Sequence, residues 1–214
     1  MNRILVKICG LTREEDVIAA AEAGADVLGF VFTSSPRRIS AESAISLLGC
    51  VPEGILRVGL FLNQQRSEIE HVIHSVPLDV LQFHGSESEA ECKVYGLPWI
   101  KAVAMENSHS AKQAESDFPG AMGLLLDSHK KGGRGGSGQV FDWSLSAPVS
   151  KPVWLAGGLD ADNVGEAIRI IRPYAVDVSS GVETAPGVKD VESMKAFVRA
   201  VRKVEREFSN GSKQ

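Results

Sequence analysis

Residues 3–12 of the chain read RILVKICGLT, a pattern typical of a β-strand that leads into a helix. Three β-branched residues alternate along one face of this strand, while Lys7 and Cys9 fall on the other face. A turn and then a capping box that begins at Thr12 predict a helix over residues 14–23. The chain therefore opens with a strand, a tight turn and a helix.

Lys7 and Cys9 are the unusual residues of this first strand. A lysine inside an apolar strand is costly to bury without a charged partner or a task. Most cysteines are inert and act as small apolar residues. Here, an ammonium group two residues away and the N-terminus of the following helix would both lower the pKa of the thiol. Cys9 is therefore a candidate nucleophile or base, with a packing role as the alternative.

A short apolar run, a turn and an amphipathic stretch recur along the whole chain. The later strands are predicted at 26–32, 56–62, 79–84, 99–104, 122–126, 152–156 and 175–178. The later helices are predicted at 41–48, 66–74, 87–95, 111–117, near Trp143, at 161–171 and at 191–208. Eight strand–helix units predict a parallel α/β sheet that closes into a single-domain (β/α)8 TIM barrel over residues 1–208, with a doubly wound open sheet as the alternative. The polar residues 209–214 are expected to fray.

Composition excludes several classes of protein. The 214 residues, 43% hydrophobic and 23% charged, are typical of one globular domain. A net charge of -4 gives no reason to expect nucleic acid or an anionic membrane as a partner, and the apolar runs are too short to cross a bilayer. The three cysteines have no disulfide or metal spacing and the N-terminus lacks a signal pattern, so we expect a cytoplasmic protein.

Polar residues occupy inward positions where several strands end. In a barrel, side chains alternate between the interior and the helices, and chemistry collects at the C-terminal strand ends. Leucine, phenylalanine and valine occupy the outward positions of the fourth, sixth and eighth strands. The inward residues are Gln82, His84, Asp127, Asp177 and Ser179, joined by Lys7 and Cys9. One such residue could be a satisfied core group, but several at one end predict a site.

Two glycine-containing loops indicate a phosphate site. Gly157 and Gly158 follow the seventh strand, while Ser180 and Gly181 follow the eighth. These are the loops that commonly bind phosphate in such barrels, through backbone N–H groups. A further glycine-rich segment, 132–138, is either a lid over the site or a plain surface loop.

Other polar residues have simpler interpretations. Arg37 follows the second strand and is suited to pairing with a substrate carboxylate through its planar guanidinium. Its neighbour Arg38 is expected to be solvated. Lys101 could face into the barrel, although nothing else in its strand supports a role. His71 and His74 have the spacing of a metal pair, but without a third ligand they are expected on the surface, and no metal site is predicted.

A set of short motifs resembles one known family. The motifs are KICGLT (7–12), SPR (35–37), VGLF (58–61), LQFHG (81–85), GGSG with FDW (135–143), AGGL with NV (156–164), and DVSSGVE with PG and KD (177–190). Together, and in this order, they resemble phosphoribosylanthranilate isomerase of tryptophan biosynthesis. Ser137 stands where the family usually has threonine, and residues 130–134 extend the preceding loop, so the departures concern the loop.

The resemblance implies a cofactor-free Amadori rearrangement by general acid/base catalysis. The substrate would be the small molecule N-(5-phosphoribosyl)anthranilate and the product 1-(2-carboxyphenylamino)-1-deoxyribulose 5-phosphate. The resemblance implies Asp127 as general acid and Cys9 as general base. It implies substrate contacts from Lys7, Arg37, His84, Gly136 and Asp177, and phosphate contacts from Gly157, Gly158, Ser180 and Gly181.

Two other functions stay open from the sequence. One is the related phosphosugar isomerase of the histidine pathway. By resemblance, that family uses an aspartate at the end of the first strand, where this chain has Cys9. The other is a non-catalytic phosphosugar-binding barrel. The sequence also leaves open whether the histidine-pathway substrate is accepted as well, and whether the protein is a monomer or a homodimer.

Overall fold

The computed structural model describes residues 3–128, 142–143 and 148–211. Its barrel strands are parallel and follow the order of the chain, and the barrel closes because β1 pairs with both β2 and β8. The strands are β1 Leu5–Cys9, β2 Val27–Val31, β3 Leu56–Phe61, β4 Val80–Phe83, β5 Trp99–Ala104, β6 Gly123–Asp127, β7 Val153–Leu155 and β8 Ala175–Val178. The prediction of a (β/α)8 barrel is confirmed, and the open sheet is excluded.

In the described ranges, helices follow the barrel strands except after β6, where most of the connection, including the helix predicted near Trp143, lies outside those ranges. The helices are α1 Glu14–Ala23, α2 Ala41–Gly49, α3 Arg66–Ser75, α4 Glu89–Cys92, α5 Ser110–Asp117, α6 Val164–Ile171 and α7 Val191–Gly211. The helix predicted over 87–95 is shorter, because a capping box at Ser88 starts α4 later and a 3-10 turn over Lys93–Tyr95 ends it. Within the described ranges, no helix is both long and apolar enough to cross a membrane.

The predicted bounds of α1, residues 14–23, are confirmed, but its predicted cap and the predicted end of α7 are wrong. Thr12 does not cap α1: the residue before the helix is Arg13, and the Thr12 hydroxyl instead donates to the carbonyl oxygen of Gly187 at 2.6 Å. At the other end of the chain, α7 continues to Gly211, so residues 209–211 extend the helix rather than form a frayed tail. Residues 212–214 lie outside the described part.

The hydrophobic core has two layers. Alternate strand residues fill the barrel interior: Val27, Val58, Val80, Ile100, Ala102, Leu125, Trp154, Ala156 and Ala175. The residues between them, such as Leu81 and Phe83, pack against the helices in the larger outer layer. Lys101 is flanked by two interior residues and therefore points outward, so the prediction that it could face inward is wrong. Its Nζ donates to Glu87 at 2.8 Å and to the Gly85 carbonyl at 2.7 Å.

A β-hairpin follows the last barrel strand and was not predicted. It consists of β9 (Glu183–Ala185) and β10 (Val188–Lys189), which pair antiparallel. Lys189 joins the hairpin to the first strand, because its Nζ donates to the carbonyl oxygen of Cys9 at 2.6 Å. The hairpin therefore lies beside the C-terminal end of β1, where the site was predicted.

Candidate active site

One pocket lies at the C-terminal ends of the strands and gathers most of the predicted site residues. It encloses about 770 Å³, the open mouth included. The predicted residues that line it are Cys9, Arg37, His84, Asp127, Gly157, Gly158, Asp177 and Ser180. Lys7 and Gly181 are not among the residues that line it, and Gly136, with the rest of segment 132–138, lies outside the described residues.

Lys7 lies beneath the pocket floor in an ion pair with Asp177. The parallel register of β1 and β8 places the two residues opposite each other, and Nζ of Lys7 is 2.7 Å from Oδ2 of Asp177. The lysine side chain is wholly buried. Burial by itself lowers the pKa of Lys7, but the charge of Asp177 and its hydrogen bond with the ammonium group raise this pKa above the ordinary value. Lys7 therefore does not line the pocket, and its predicted substrate contact stays a prediction.

The Cys9 thiol lines the pocket but is only 5% exposed. Burial raises the pKa of this thiol above the ordinary value, and the lowering effects of Lys7 and Lys189 do not overcome it. The sequence prediction of a lowered pKa is therefore wrong. The reason is desolvation, which depends on the packing of the whole barrel and which the neighbours of Cys9 in sequence do not reveal.

The raised pKa leads to a test by titration. In a variant that carries Cys50→Ser and Cys92→Ser, we expect the thiolate absorbance of Cys9 at 240 nm to appear with a midpoint above the ~8.5 of a free thiol. Because the folded protein keeps the thiol neutral, stability is also lost as pH rises from the unfolded pKa to the folded pKa. A midpoint below that of a free thiol would contradict the dominant effect of burial.

Asp127 ends β6 and lies next to two polar side chains in a row, those of His84 and Gln82. Its Oδ2 lies 3.2 Å from Nε2 of His84, whose Nδ1 lies 3.1 Å from the amide nitrogen of Gln82. An amide donor at Nδ1 leaves the imidazole proton on Nε2, which faces the carboxyl group of Asp127. His84 was predicted to hold the substrate carboxylate, but its contact here is with Asp127. Gln82 and Ser179, which were predicted to point inward, also line the pocket.

Arg37 reaches the pocket over the turn after β1. Gly10 has a φ of +79°, and a Cβ there would collide with Cδ of Arg37, so this turn requires glycine. The guanidinium donates from Nε and Nη2 to Glu183 at 2.8 and 2.6 Å. Sequence reasoning did not assign Glu183 to the site, although its motif was noted, because residues so far apart in the chain show no mutual pattern.

The two predicted phosphate loops pack against each other. Gly157 and Gly158 have positive φ angles of +87° and +64°, which favour glycine. A Cβ on Gly181 would collide with the carbonyl oxygen of Leu159, so the loops after β7 and β8 touch at this point. The Asn163 side chain donates to the Gly158 carbonyl at 2.8 Å and fixes the first loop. The arrangement leaves a glycine-lined edge of the pocket that suits an oxyanion.

Comparison with known proteins identifies the family. A family model for N-(5'-phosphoribosyl)anthranilate (PRA) isomerase matches residues 6–200. The chain belongs to this family. The PRA isomerase of Pseudomonas putida (strain GB-1) is 50% identical over 204 residues, 94% of this chain and 99% of the relative. The motif resemblance is thus confirmed.

Solved PRA isomerases share the fold described above. The enzyme from Thermus thermophilus is 37% identical with a TM-score of 0.85, covering 94% of this chain and 100% of its own. A PRA isomerase in complex with reduced 1-(o-carboxyphenylamino)-1-deoxyribulose 5-phosphate is 36% identical with a TM-score of 0.80, covering 94% and 99%. The likeness therefore spans nearly the whole chain.

Proposed function

We propose that the chain is the PRA isomerase of tryptophan biosynthesis, an aldose–ketose isomerase. It converts N-(5-phosphoribosyl)anthranilate to 1-(2-carboxyphenylamino)-1-deoxyribulose 5-phosphate. The observation that carries the proposal is that Cys9 and Asp127 line one pocket whose edge is formed by two glycine-containing loops. Family membership and a relative solved with a reduced form of this product support it.

Asp127 and Cys9 carry out the two proton transfers that the reaction needs. Asp127 acts as general acid and protonates the ribose ring oxygen, so that the bond from this oxygen to C1′ breaks and the nitrogen lone pair forms an iminium ion. Cys9, as thiolate, removes the C2′ proton, and the electrons of that bond neutralise the iminium to give an enolamine. The enolamine then tautomerises to the ketone, so the reaction is redox-neutral overall and the proposal includes no cofactor.

The surrounding residues bind and orient the substrate. Arg37 pairs with the anthranilate carboxylate, which suits a guanidinium on the pocket wall. His84, whose Nε2 lies 3.2 Å from Asp127, helps Arg37 to hold this carboxylate. Asp177 accepts a hydrogen bond from the anthranilate nitrogen, and Lys7 beneath it supplies the compensating charge. Backbone N–H groups around Gly157, Gly158, Ser180 and Gly181 hold the phosphate.

A fluorescence assay tests the proposed reaction. Anthranilate derivatives fluoresce, and purified protein mixed with phosphoribosylanthranilate should cause a steady loss of this signal. A folded sample that binds the substrate without signal loss would favour the phosphosugar-binding barrel. The same sample offered the histidine-pathway substrate tests the related isomerase, and turnover of that substrate alone would overturn the assignment.

Genetic complementation provides an independent test in cells. The gene should restore growth of a tryptophan-requiring strain that lacks only this isomerase step, whereas the Cys9→Ala version should not. Sedimentation of the purified protein distinguishes the monomer from the homodimer. We place the enzyme in the cytoplasm, in keeping with three free cysteines.

A further inference from the structure

Arg37 on the pocket wall is linked to two buried charged side chains behind it. The guanidinium of Arg37 makes a bidentate pair with Glu183, and Nζ of Lys189 donates to Oε1 of the same carboxylate at 2.7 Å. The Glu183 side chain is only 4% exposed and that of Lys189 is wholly buried. Burying charged groups costs desolvation free energy, so an arrangement of this kind needs a physical reason.

Lys189 connects these charged side chains to the strand that carries the thiol. Its Nζ also donates to the carbonyl oxygens of Cys9, at 2.6 Å, and Ser179, at 3.1 Å. Its backbone nitrogen donates to Asp16 in α1 at 3.1 Å. The position of Glu183, and through it that of Arg37, is thereby tied to the end of β1.

The geometry leaves one edge of Arg37 available to a ligand. The bonds to Glu183 use Nε and Nη2, so Nη1 takes no part in them. Arg37 lines the pocket, whereas Glu183 and Lys189 lie behind it. The three side chains carry two positive charges and one negative charge, so Glu183 orients the arginine without cancelling the positive charge offered to an anion.

We propose that Glu183 is a positioning residue that holds the Arg37 guanidinium ready for the anthranilate carboxylate, while Lys189 ties the pair to the Cys9 strand. The proposal rests on the carboxylate-binding role proposed above for Arg37. An arginine fixed before binding loses less side-chain entropy when the ligand arrives. The competing explanation is that Glu183 only balances charge, in which case its removal would strengthen the binding of an anion.

Two ligands and two substitutions separate these explanations. The ligands are reduced 1-(o-carboxyphenylamino)-1-deoxyribulose 5-phosphate and the same molecule without its ring carboxylate. The substitutions are Glu183→Gln, which removes the charge, and Glu183→Asp, which keeps the charge but withdraws the carboxylate by one methylene. Titration calorimetry gives the Kd of each protein for each ligand, and binding of the carboxylate-free ligand shows that the phosphate end of the site is intact.

We expect both Glu183 variants to bind the carboxylated ligand roughly tenfold more weakly, a loss that misplacement of one binding group can cause. Binding of the carboxylate-free ligand should change less than twofold. Tighter binding by Glu183→Gln with unchanged binding by Glu183→Asp would overturn the proposal in favour of charge balance. An equal loss for both ligands, or a variant that does not fold in either case, would assign Glu183 a structural role and overturn it as well.

Two further variants serve as controls. Asp79→Asn disrupts a comparable bidentate pair, in which Arg57 donates to Asp79 at 2.8 Å twice, at the N-terminal ends of β3 and β4. It should leave both Kd values unchanged. Arg37→Met should weaken only the carboxylated ligand. If Arg37→Met weakens the binding of both ligands equally, the proposed role of Arg37 fails. If Arg37→Met weakens only the binding of the carboxylated ligand, but the Glu183 variants weaken the binding of both ligands equally, the positioning role alone fails.

Discussion

Asp127→Asn is expected to lower kcat by ~10² or more while KM changes little. Asparagine has nearly the same shape as aspartic acid but cannot transfer a proton to the ribose ring oxygen. Ring opening would then rely on water, while the groups that hold the phosphate and the anthranilate carboxylate stay in place. Steady-state assays of fluorescence loss measure kcat and KM separately.

The matched control is Asp79→Asn, the same chemical change at the opposite end of the barrel. Asp79 accepts hydrogen bonds from Arg57 and lies outside the pocket. This variant should keep the kcat of the unmodified protein even if its melting temperature falls. A folded Asp127→Asn protein with comparable turnover would remove Asp127 from the role of general acid.

Cys9→Ala is the second substitution with a large expected effect. Without the thiol, nothing at this position removes the C2′ proton, and kcat should again fall by ~10² or more with substrate affinity largely kept. Because burial raises the pKa of Cys9, the thiolate is a minor species at neutral pH in the free enzyme. The kcat/KM of the unmodified protein should therefore rise as pH increases from neutral towards the raised pKa of Cys9.

Cys92→Ala provides the control for loss of a buried thiol. Cys92 ends α4, is fully buried, and has a pKa raised to about 12 by desolvation. Its replacement should cost stability through a small cavity but leave kcat unchanged. If Cys9→Ala behaves in the same way as Cys92→Ala, the thiol of Cys9 is a packing residue, which is the alternative that its sequence context allowed.

Local pattern was enough to predict which side chains enter the barrel. Strand alternation correctly places Gln82 on the interior side and Leu81 on the helix side, because successive side chains of a strand point in opposite directions. The same rule shows that Lys101 faces outward, since Ile100 and Ala102 fill the interior. The inward prediction for Lys101 failed because it did not take those two neighbours into account.

The sequence by itself determined the eight strand–helix units, the family, and the gathering of Cys9, His84, Asp127 and Asp177 at one end of the barrel. These follow from short-range periodicity and from parallel strands ending on one face. Only the tertiary structure decided the partners of the charges: Lys7 meets Asp177 170 positions away, and Arg37 meets Glu183 146 positions away. It also decided the direction of the Cys9 pKa shift, because desolvation depends on every group that excludes water from the thiol.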